Sequence, residues 1–255
     1  MLHCCAVSEI GIVRKSLWAT FIAGLRQNLV PGLILQAVAL SLVLGYYFWP
    51  PARGVFSQIQ SWKESGGFAF SAISTALFGG LIPFLFLAAT GQAKNASWRA
   101  QCCFYVLFWA WKGVEVDALY RLQSFLFGDE LNVKTIATKV AIDQFIYNPL
   151  WAAPSTAIPH LWKDTNFSWS ATRETIRREG YVHMVASILV STWIVWVPAV
   201  SIVYCLPPAL QIPLFNIVLC FWVLMLSFLT RKREEPAPGS AGGTVNNVTV
   251  ERASV

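Results

Sequence analysis

The chain has 255 residues; 56% belong to the apolar set AVILMFWYC, 13% are charged, and the formal net charge is +6. Soluble domains carry roughly 25% charged residues, and a single core could not bury this much apolar surface. The composition excludes a disordered chain, a coiled coil and a disulfide-stapled secreted domain. It predicts an all-α, polytopic bundle of about six membrane helices.

The first 29 residues place basic and apolar side chains at helical spacing, among them Arg14, Trp18, Leu25 and Arg26. This pattern predicts a basic amphipathic helix that lies on the membrane surface. Residues 30–230 are predicted to form the transmembrane helical domain. Residues 231–255 begin with three basic residues and continue with many prolines, glycines and serines, which predicts a disordered tail.

Six apolar blocks within 30–230 approach the length of about 20 residues that a helix needs to cross a bilayer. They cover residues 31–49, 68–89, 100–127, 140–162, 182–205 and 210–229. Tryptophans lie at or just beyond block ends, where indoles favour the headgroup layer: Trp49, Trp62, Trp98, Trp162 and Trp169. Small residues four apart in the second block predict close helix packing: Ala72, Ala76 and Gly80.

Lysines and arginines are distributed unevenly between the blocks. If all six blocks cross the bilayer, twelve basic residues lie on the side of the two termini and five lie on the other side. Because cytoplasmic loops carry the positive excess, both termini are predicted on the cytoplasmic or matrix side. Four or five crossings would distribute these charges differently between the two sides of the membrane. The charge count therefore favours six crossings, and four or five crossings stay open as alternatives.

The third block carries charged residues at bilayer depth, where ionisable groups are costly and mark candidate functional sites. Lys112 and Glu115 are three residues apart, and Asp117 and Arg121 are four apart. Helical spacing therefore predicts two ion pairs on different faces of one helix. These residues either line a water-filled cavity or mark the point where the helix emerges into the interface.

The fourth block carries a second polar group. Lys139 and Asp143 are four residues apart, which predicts an ion pair within the helix, while Gln144 and Asn148 form another polar stripe. Prolines recur every five residues: Pro149, Pro154 and Pro159. Each removes a backbone hydrogen bond, and a freed carbonyl in hydrocarbon needs a polar neighbour or water. This helix is predicted to face protein or a cavity, as a polar lining or as interhelical hydrogen bonding.

Cysteines and histidines give no sign of a metal or redox site. Cys4–Cys5 and Cys102–Cys103 are adjacent pairs without the CxxC spacing, and the three histidines lie far apart. We therefore expect no metal and no cofactor. An enzyme is disfavoured because no nucleophile–base set has a workable spacing. The basic residues occur in short clusters between apolar blocks, so we expect no nucleic-acid partner.

Several residues resemble motifs of the Mpv-seventeen family, the small integral membrane proteins also called the peroxisomal membrane protein 22 kDa family. Lys139, Asp143, Gln144 and Pro149 are similar to its K-x-x-x-D-Q-x-x-x-x-P element. Later residues resemble its W-P…V-P stretch and its W-x-x-Y-L-S ending: Trp193, Trp196, Pro198, Pro208, Trp222 and Ser227. The resemblance covers roughly residues 68–232 and departs from the family pattern at Val200, Val203, Ile212 and Met225.

The resemblance implies a small pore for ions or metabolites, in a mitochondrial inner or peroxisomal membrane, or in the plasma membrane if the protein is bacterial. The polar residues within the apolar blocks form the candidate lining: Lys112, Glu115, Asp117, Lys139, Asp143, Gln144 and Asn148. Expected partners are the lipid bilayer, a small permeant and further copies of the chain. The alternative is a non-conducting membrane scaffold or assembly factor in which every buried charge is neutralised.

Overall fold

A computed structural model describes residues 17–91 and 97–234. Within these two ranges every regular element is a helix and there is no strand, so the all-α prediction is confirmed. The predicted surface helix lies outside the described residues up to residue 16, and the predicted tail does so from residue 235 onward.

The first half of the bundle consists of three long helical stretches. Helix α1 (Leu17–Phe48) runs without interruption from the predicted surface segment into the first apolar block. A 3₁₀ turn (Pro50–Ala52) leads into a continuous stretch made of α2 (Arg53–Thr75), a π-helical segment π1 (Ala76–Leu81) and α3 (Ile82–Ala89). Helix α4 covers Trp98–Phe127.

The second half adds three more long stretches and one short helix. Helix α5 (Val133–Ile142), the π-helical segment π2 (Asp143–Ala152) and α6 (Ala153–Asp164) form one stretch. Helices α7 (Trp169–Glu179), α8 (Tyr181–Val203) and α9 (Pro208–Glu234) follow. The Asn132 side chain caps α5 by accepting from the Thr135 amide, and Pro208 begins α9, where its missing N–H is tolerated.

Helix α2 bends sharply at Gly67. The φ of +52° and ψ of −128° at this residue lie outside the helical region, and the positive φ is one that side-chain-bearing residues rarely adopt. The bend separates the first part of α2, which carries Lys63, from the part that continues into π1. The buried ammonium of Lys63 donates to the Gly67 carbonyl at 3.2 Å, so the bend is tied to a charged side chain.

The long stretches alternate in direction. The α2–α3 stretch and α4 are antiparallel, because Ser71 contacts Asp117 while Gly80 packs against Tyr105. The α5–α6 stretch runs antiparallel to α4 in the same way. Helices α1 and α8 are parallel, as two hydrogen bonds show: Gln36 to Val195 O at 2.7 Å and Tyr47 to Cys205 O at 2.8 Å.

The main apolar core lies where α1, α8 and α9 meet. Ala39, Val195 and Val203 are fully buried there. Gly32 lets α1 approach α8 closely, since a Cβ at this position would lie 3.3 Å from Val195 Cγ2. These close contacts make the α1–α8–α9 region the most apolar part of the interior, whereas the buried charged side chains lie on α2, α4, α5, π2 and α6.

Two parts of the described chain are long and apolar enough to cross a membrane, Leu29–Phe48 and Pro50–Ala89. Two shorter apolar helical parts are Thr192–Val203 and Pro208–Leu224. The third and fourth apolar blocks, in α4 and the α5–α6 stretch, contain the charged residues that lower their hydropathy. Length and composition therefore support two membrane-spanning stretches, and the predicted six are not confirmed.

Candidate functional site

Asp117 accepts hydrogen bonds from three side chains on two helices. Its carboxylate lies 2.7 Å from Lys63 Nζ and 2.8 Å from Ser71 Oγ, and 3.2 Å from Arg121 Nε. Lys63 and Asp117 are both buried. The Asp117–Arg121 pair is the one that helical spacing predicts, whereas Lys63 is an additional partner from α2. This group fastens α4 to the bend at Gly67.

Lys112 and Glu115 form the second ion pair that helical spacing predicts. Lys112 Nζ lies 2.8 Å from Glu115 Oε1 and 2.7 Å from Ser155 Oγ on α6. The Tyr147 hydroxyl on π2 also donates to Glu115 Oε1. Each member of the pair thus has a partner on the α5–α6 stretch, and α4 is joined to π2 and α6 through buried polar groups.

The predicted pair between Lys139 and Asp143 is wrong. Lys139 Nζ lies 2.9 Å from Asp129 Oδ1, in the loop between α4 and α5, and 5.8 Å from the centroid of the Tyr204 ring. Helical side chains lean toward the N-terminus of their helix, so Lys139 reaches back to this loop and away from Asp143. Sequence spacing alone could not predict a competing carboxylate in the loop.

Asp143 is bound by uncharged donors. The Tyr204 hydroxyl, just after α8, and the Gln144 amide each donate to its carboxylate at 3.0 Å. Among the described residues no cationic side chain forms an ion pair with Asp143. The expected pairing with Lys139 is therefore replaced by hydrogen bonds from Gln144 within π2 and from Tyr204 just after α8.

The π2 segment explains how the Gln144 carbonyl is satisfied. In a π-helix an N–H bonds the carbonyl five residues earlier, and Ala153 N–H does bond Asn148 O in this register. Pro149 lies five residues after Gln144 and has no N–H to donate. The Trp193 indole of α8 supplies the missing donor, with Nε1 at 2.8 Å from Gln144 O. The predicted need for a polar neighbour is met by this contact.

The candidate lining residues divide into two buried groups. Asp117 lies with Lys63 toward α2, while all the others except Lys139 lie between α4, π2 and the end of α8. We call the second group the polar column and define it by its members: Lys112, Glu115, Asp143, Gln144, Tyr147, Asn148 and Tyr204. Asn148 contacts Gln144 at 3.4 Å. The exposed fraction is 5% at both Lys112 and Asp143, so the column faces the interior of the bundle.

Lys139 and Asp129 lie at the end of the polar column near the α4–α5 loop. Lys139 is 3% exposed as a side chain, whereas Asp129 is 42% exposed. Partial burial, the largest single cause, raises the pKa of Asp129, but the hydrogen bonds from Lys139 and Ser124 and the charge of Lys139 together outweigh it. The pKa of Asp129 therefore lies below its ordinary value, so its carboxyl group is ionised near neutral pH.

Several members of these groups were not predicted because their contacts are distant in sequence. They are Lys63, Ser71, Asp129, Tyr147, Ser155 and Tyr204. Tyr147 did carry a usable signal, since it lies four residues after Asp143 in the same polar block. The contact between Tyr204 and Asp143 spans 61 residues, and no local pattern encodes it.

The residues that resemble the later family motifs differ in burial: Pro198 and Pro208 are exposed, Trp193 and Trp196 are partly buried, and Trp222 is buried. Pro198 lies inside α8 and Pro208 begins α9. The Trp196 ring packs against Phe215, with centroids 5.5 Å apart. Trp222 is buried on α9, and Ser227 lies farther along the same helix.

Metal binding finds no support in the part of the chain that the structure describes, where no group of three His, Cys, Asp or Glu side chains converges. His160 is buried beside the rings of Phe104 and Phe108 and contacts the Thr156 carbonyl at 3.0 Å.

Comparisons with known proteins return no matching family model, no similar curated protein and no similar solved structure.

Proposed function

We propose that this chain is an integral membrane protein that crosses the bilayer six times and forms a small pore of the Mpv-seventeen type. The lengths of its helical stretches support six crossings. At 1.5 Å per residue, α8 is about 35 Å long and α4 about 45 Å, compared with a hydrocarbon core of about 30 Å. The alternating directions of the six long stretches fit successive crossings.

The distribution of polar and apolar side chains carries the membrane proposal. Leu150, Ile73 and Leu107 project outward from the middle of their helices with exposed fractions of 74%, 71% and 69%. Charged side chains such as Lys112 and Asp117 are buried instead. Water would favour the opposite arrangement, whereas lipid solvates the apolar exterior and disfavours exposed charges.

The ends of the helices add a second line of support. Trp49, Trp98 and Trp169 lie at helix ends and are more than half exposed, as expected of indoles in the headgroup layer. The basic excess on the side of the two termini then places this side in the cytoplasm or matrix.

The polar column carries the pore proposal. Polar groups of α4, π2 and the end of α8 lie together inside the bundle, and ionisable groups at this depth are costly in a membrane and mark candidate functional sites. The column consists of two hydrogen-bonded sets that share π2. One set contains Lys112, Glu115 and Tyr147; the other contains Asp143, Gln144, Asn148 and Tyr204 and lies beside the Lys139–Asp129 pair. A column of donors and acceptors across the bundle is the kind of lining that small polar permeants require.

Purified protein in liposomes tests the pore. We expect ion flux above protein-free controls, and Lys112→Glu should shift the anion/cation preference toward cations because it replaces a positive lining charge with a negative one. Single cysteines at Gln144 and Asn148 should react with a membrane-impermeant thiol reagent. A cysteine at Leu150 is the matched control: it lies on π2, faces lipid in this account and should stay unreactive.

A scaffold or assembly factor is the second candidate, and one observation favours it. The charged groups Lys112–Glu115, Lys63–Asp117 and Lys139–Asp129 are each paired within this chain, so the bundle needs no permeant to satisfy them. Flux equal to protein-free liposomes, together with unreactive cysteines at Gln144 and Asn148, would contradict the pore and support the scaffold.

A further inference from the structure

A small cavity opens at the end of the bundle that carries the α4–α5 loop. Its lining includes Asp129, Lys139, Tyr204 and Gln211, contributed by the loop, α5, the end of α8 and the start of α9. The cavity has room for about one water molecule. It adjoins the polar column because Tyr204, which lines the cavity, also donates its hydroxyl to Asp143.

Gln211 provides an independent indication that this cavity is hydrated. Its exposed fraction is 2%, and its Nε2 donates to the Leu206 carbonyl at 3.0 Å. Its Oε1 has no hydrogen-bond partner among the described residues. A buried amide oxygen without a partner is costly, and a water molecule in the adjoining cavity would satisfy it.

The ion pair at the cavity joins an exposed residue to a buried one. Asp129 is half-exposed on the short loop that follows Gly128, whereas Lys139 is buried between the cavity and the Tyr204 ring. Lys139 therefore lies between solvent and the residues that lead to Asp143. Its ammonium stays in this position through its bond to Asp129.

We propose that this cavity is the water-filled mouth of the pore and that the Asp129–Lys139 ion pair is the gate that closes it. The inference rests on the proposed pore function. When Asp129 releases Lys139, the long side chain is free to leave the opening. The water in the cavity beside Gln211 then becomes continuous with the solvent outside and with Tyr204 and the polar column.

Labelling of a cysteine at Gln211 with a small neutral maleimide tests the gate. The reaction is followed by mass spectrometry of the peptide that contains residue 211, so the native cysteines stay in place. In the Asp129→Asn background we expect the labelling rate to rise several-fold, up to about tenfold, since a hydrogen bond between charged groups holds the closed state but is partly screened.

Two variants control for effects of charge alone. Glu130→Gln removes a second exposed carboxylate that also lines the cavity but bonds Asn132 rather than Lys139, and it should leave the labelling rate within about twofold. The charge-swapped pair Asp129→Lys with Lys139→Asp restores an ion pair. It should return the labelling rate at position 211 toward that measured with the native Asp129–Lys139 pair. An unchanged rate in Asp129→Asn, or an equal rise in Glu130→Gln, would overturn the gate.

Liposome flux measured on the same variants separates this inference from the pore itself. If labelling rises in Asp129→Asn while flux stays at the protein-free level in all variants, the ion pair controls access to the cavity, but the pore function fails and with it the role of the cavity as a pore mouth. If the unmodified protein conducts but Asp129→Asn changes neither flux nor labelling, the pore stands and the gate fails. A parallel rise in labelling and flux supports both.

Discussion

Lys63 shows how a buried charge in this bundle depends on one partner. Its ammonium contacts the Asp117 carboxylate at 2.7 Å, and the two side chains are each 4% exposed. Removing one member of a buried pair leaves an uncompensated charge, which costs more than the pair itself contributes. The local partner Arg121 was predictable from helical spacing, whereas Lys63, which is 54 residues from Asp117, was not.

We predict that Asp117→Ala lowers the free energy of unfolding by about 3–5 kcal/mol, because the Lys63 ammonium is left buried without its carboxylate. The double variant Lys63→Met with Asp117→Leu should recover most of this loss. Glu174→Ala is the control, since it removes a carboxylate from an exposed pair with Arg177 and should change stability by less than about 1 kcal/mol. Denaturant titration in detergent measures all three; equal losses in the single and double variants would contradict the pairing.

Trp193→Phe tests the indole bond to the Gln144 carbonyl. Phenylalanine keeps most of the ring packing but cannot donate a hydrogen bond to the Gln144 carbonyl. This carbonyl has no backbone donor in the π-helical register, because Pro149 lacks an N–H. We expect a loss of about 1–3 kcal/mol for the unsatisfied buried acceptor. Trp62→Phe alters a tryptophan that is 57% exposed and should have little effect in the same unfolding assay; equal effects at the two positions would argue against the bond to Gln144.

At the scale of elements, close helix approach depends on glycines that face neighbouring helices. The predicted close packing of the second apolar block is present at Gly80, where an added Cβ would lie 2.7 Å from the Tyr105 carbonyl oxygen. Gly113 on α4 faces the same stretch, and an added Cβ would lie 2.6 Å from Thr75 Oγ1. The π segments were not predicted, because a π turn is set by tertiary contacts such as that of Trp193 rather than by local composition.

Gly113→Ala should therefore destabilise the bundle by about 1–3 kcal/mol, since α4 and α2 must move apart to admit the methyl group. Gly45→Ala is a matched control in α1, where an added Cβ meets nothing within 4 Å. There alanine should be neutral or stabilising by up to about 1 kcal/mol, because it favours the helix. Both variants can be compared by thermal unfolding in detergent, and a similar loss at Gly45 would contradict the close approach at Gly113.

At the scale of the molecule, the sequence predicted the helical class and the ion pairs within α4, because both follow from periodicity along one helix. It predicted the wrong partner for Lys139, because the choice between Asp143 and Asp129 depends on side-chain direction and loop position. Contacts such as Tyr204 with Asp143 join distant helices. They require the packed bundle, which hydropathy alone does not specify.

The side of the membrane from which each loop can be labelled tests the central claim, that the six alternating helical stretches are six membrane crossings. Single cysteines replace three exposed residues, Glu64 near the bend of α2, Glu130 in the α4–α5 loop and Arg177 on α7. In intact cells or oriented proteoliposomes, a membrane-impermeant thiol reagent is applied to one side. We predict that positions 64 and 130 react from the same side and position 177 only from the opposite, positively charged side. Labelling of position 64 or 130 from the same side as position 177 would contradict the six crossings.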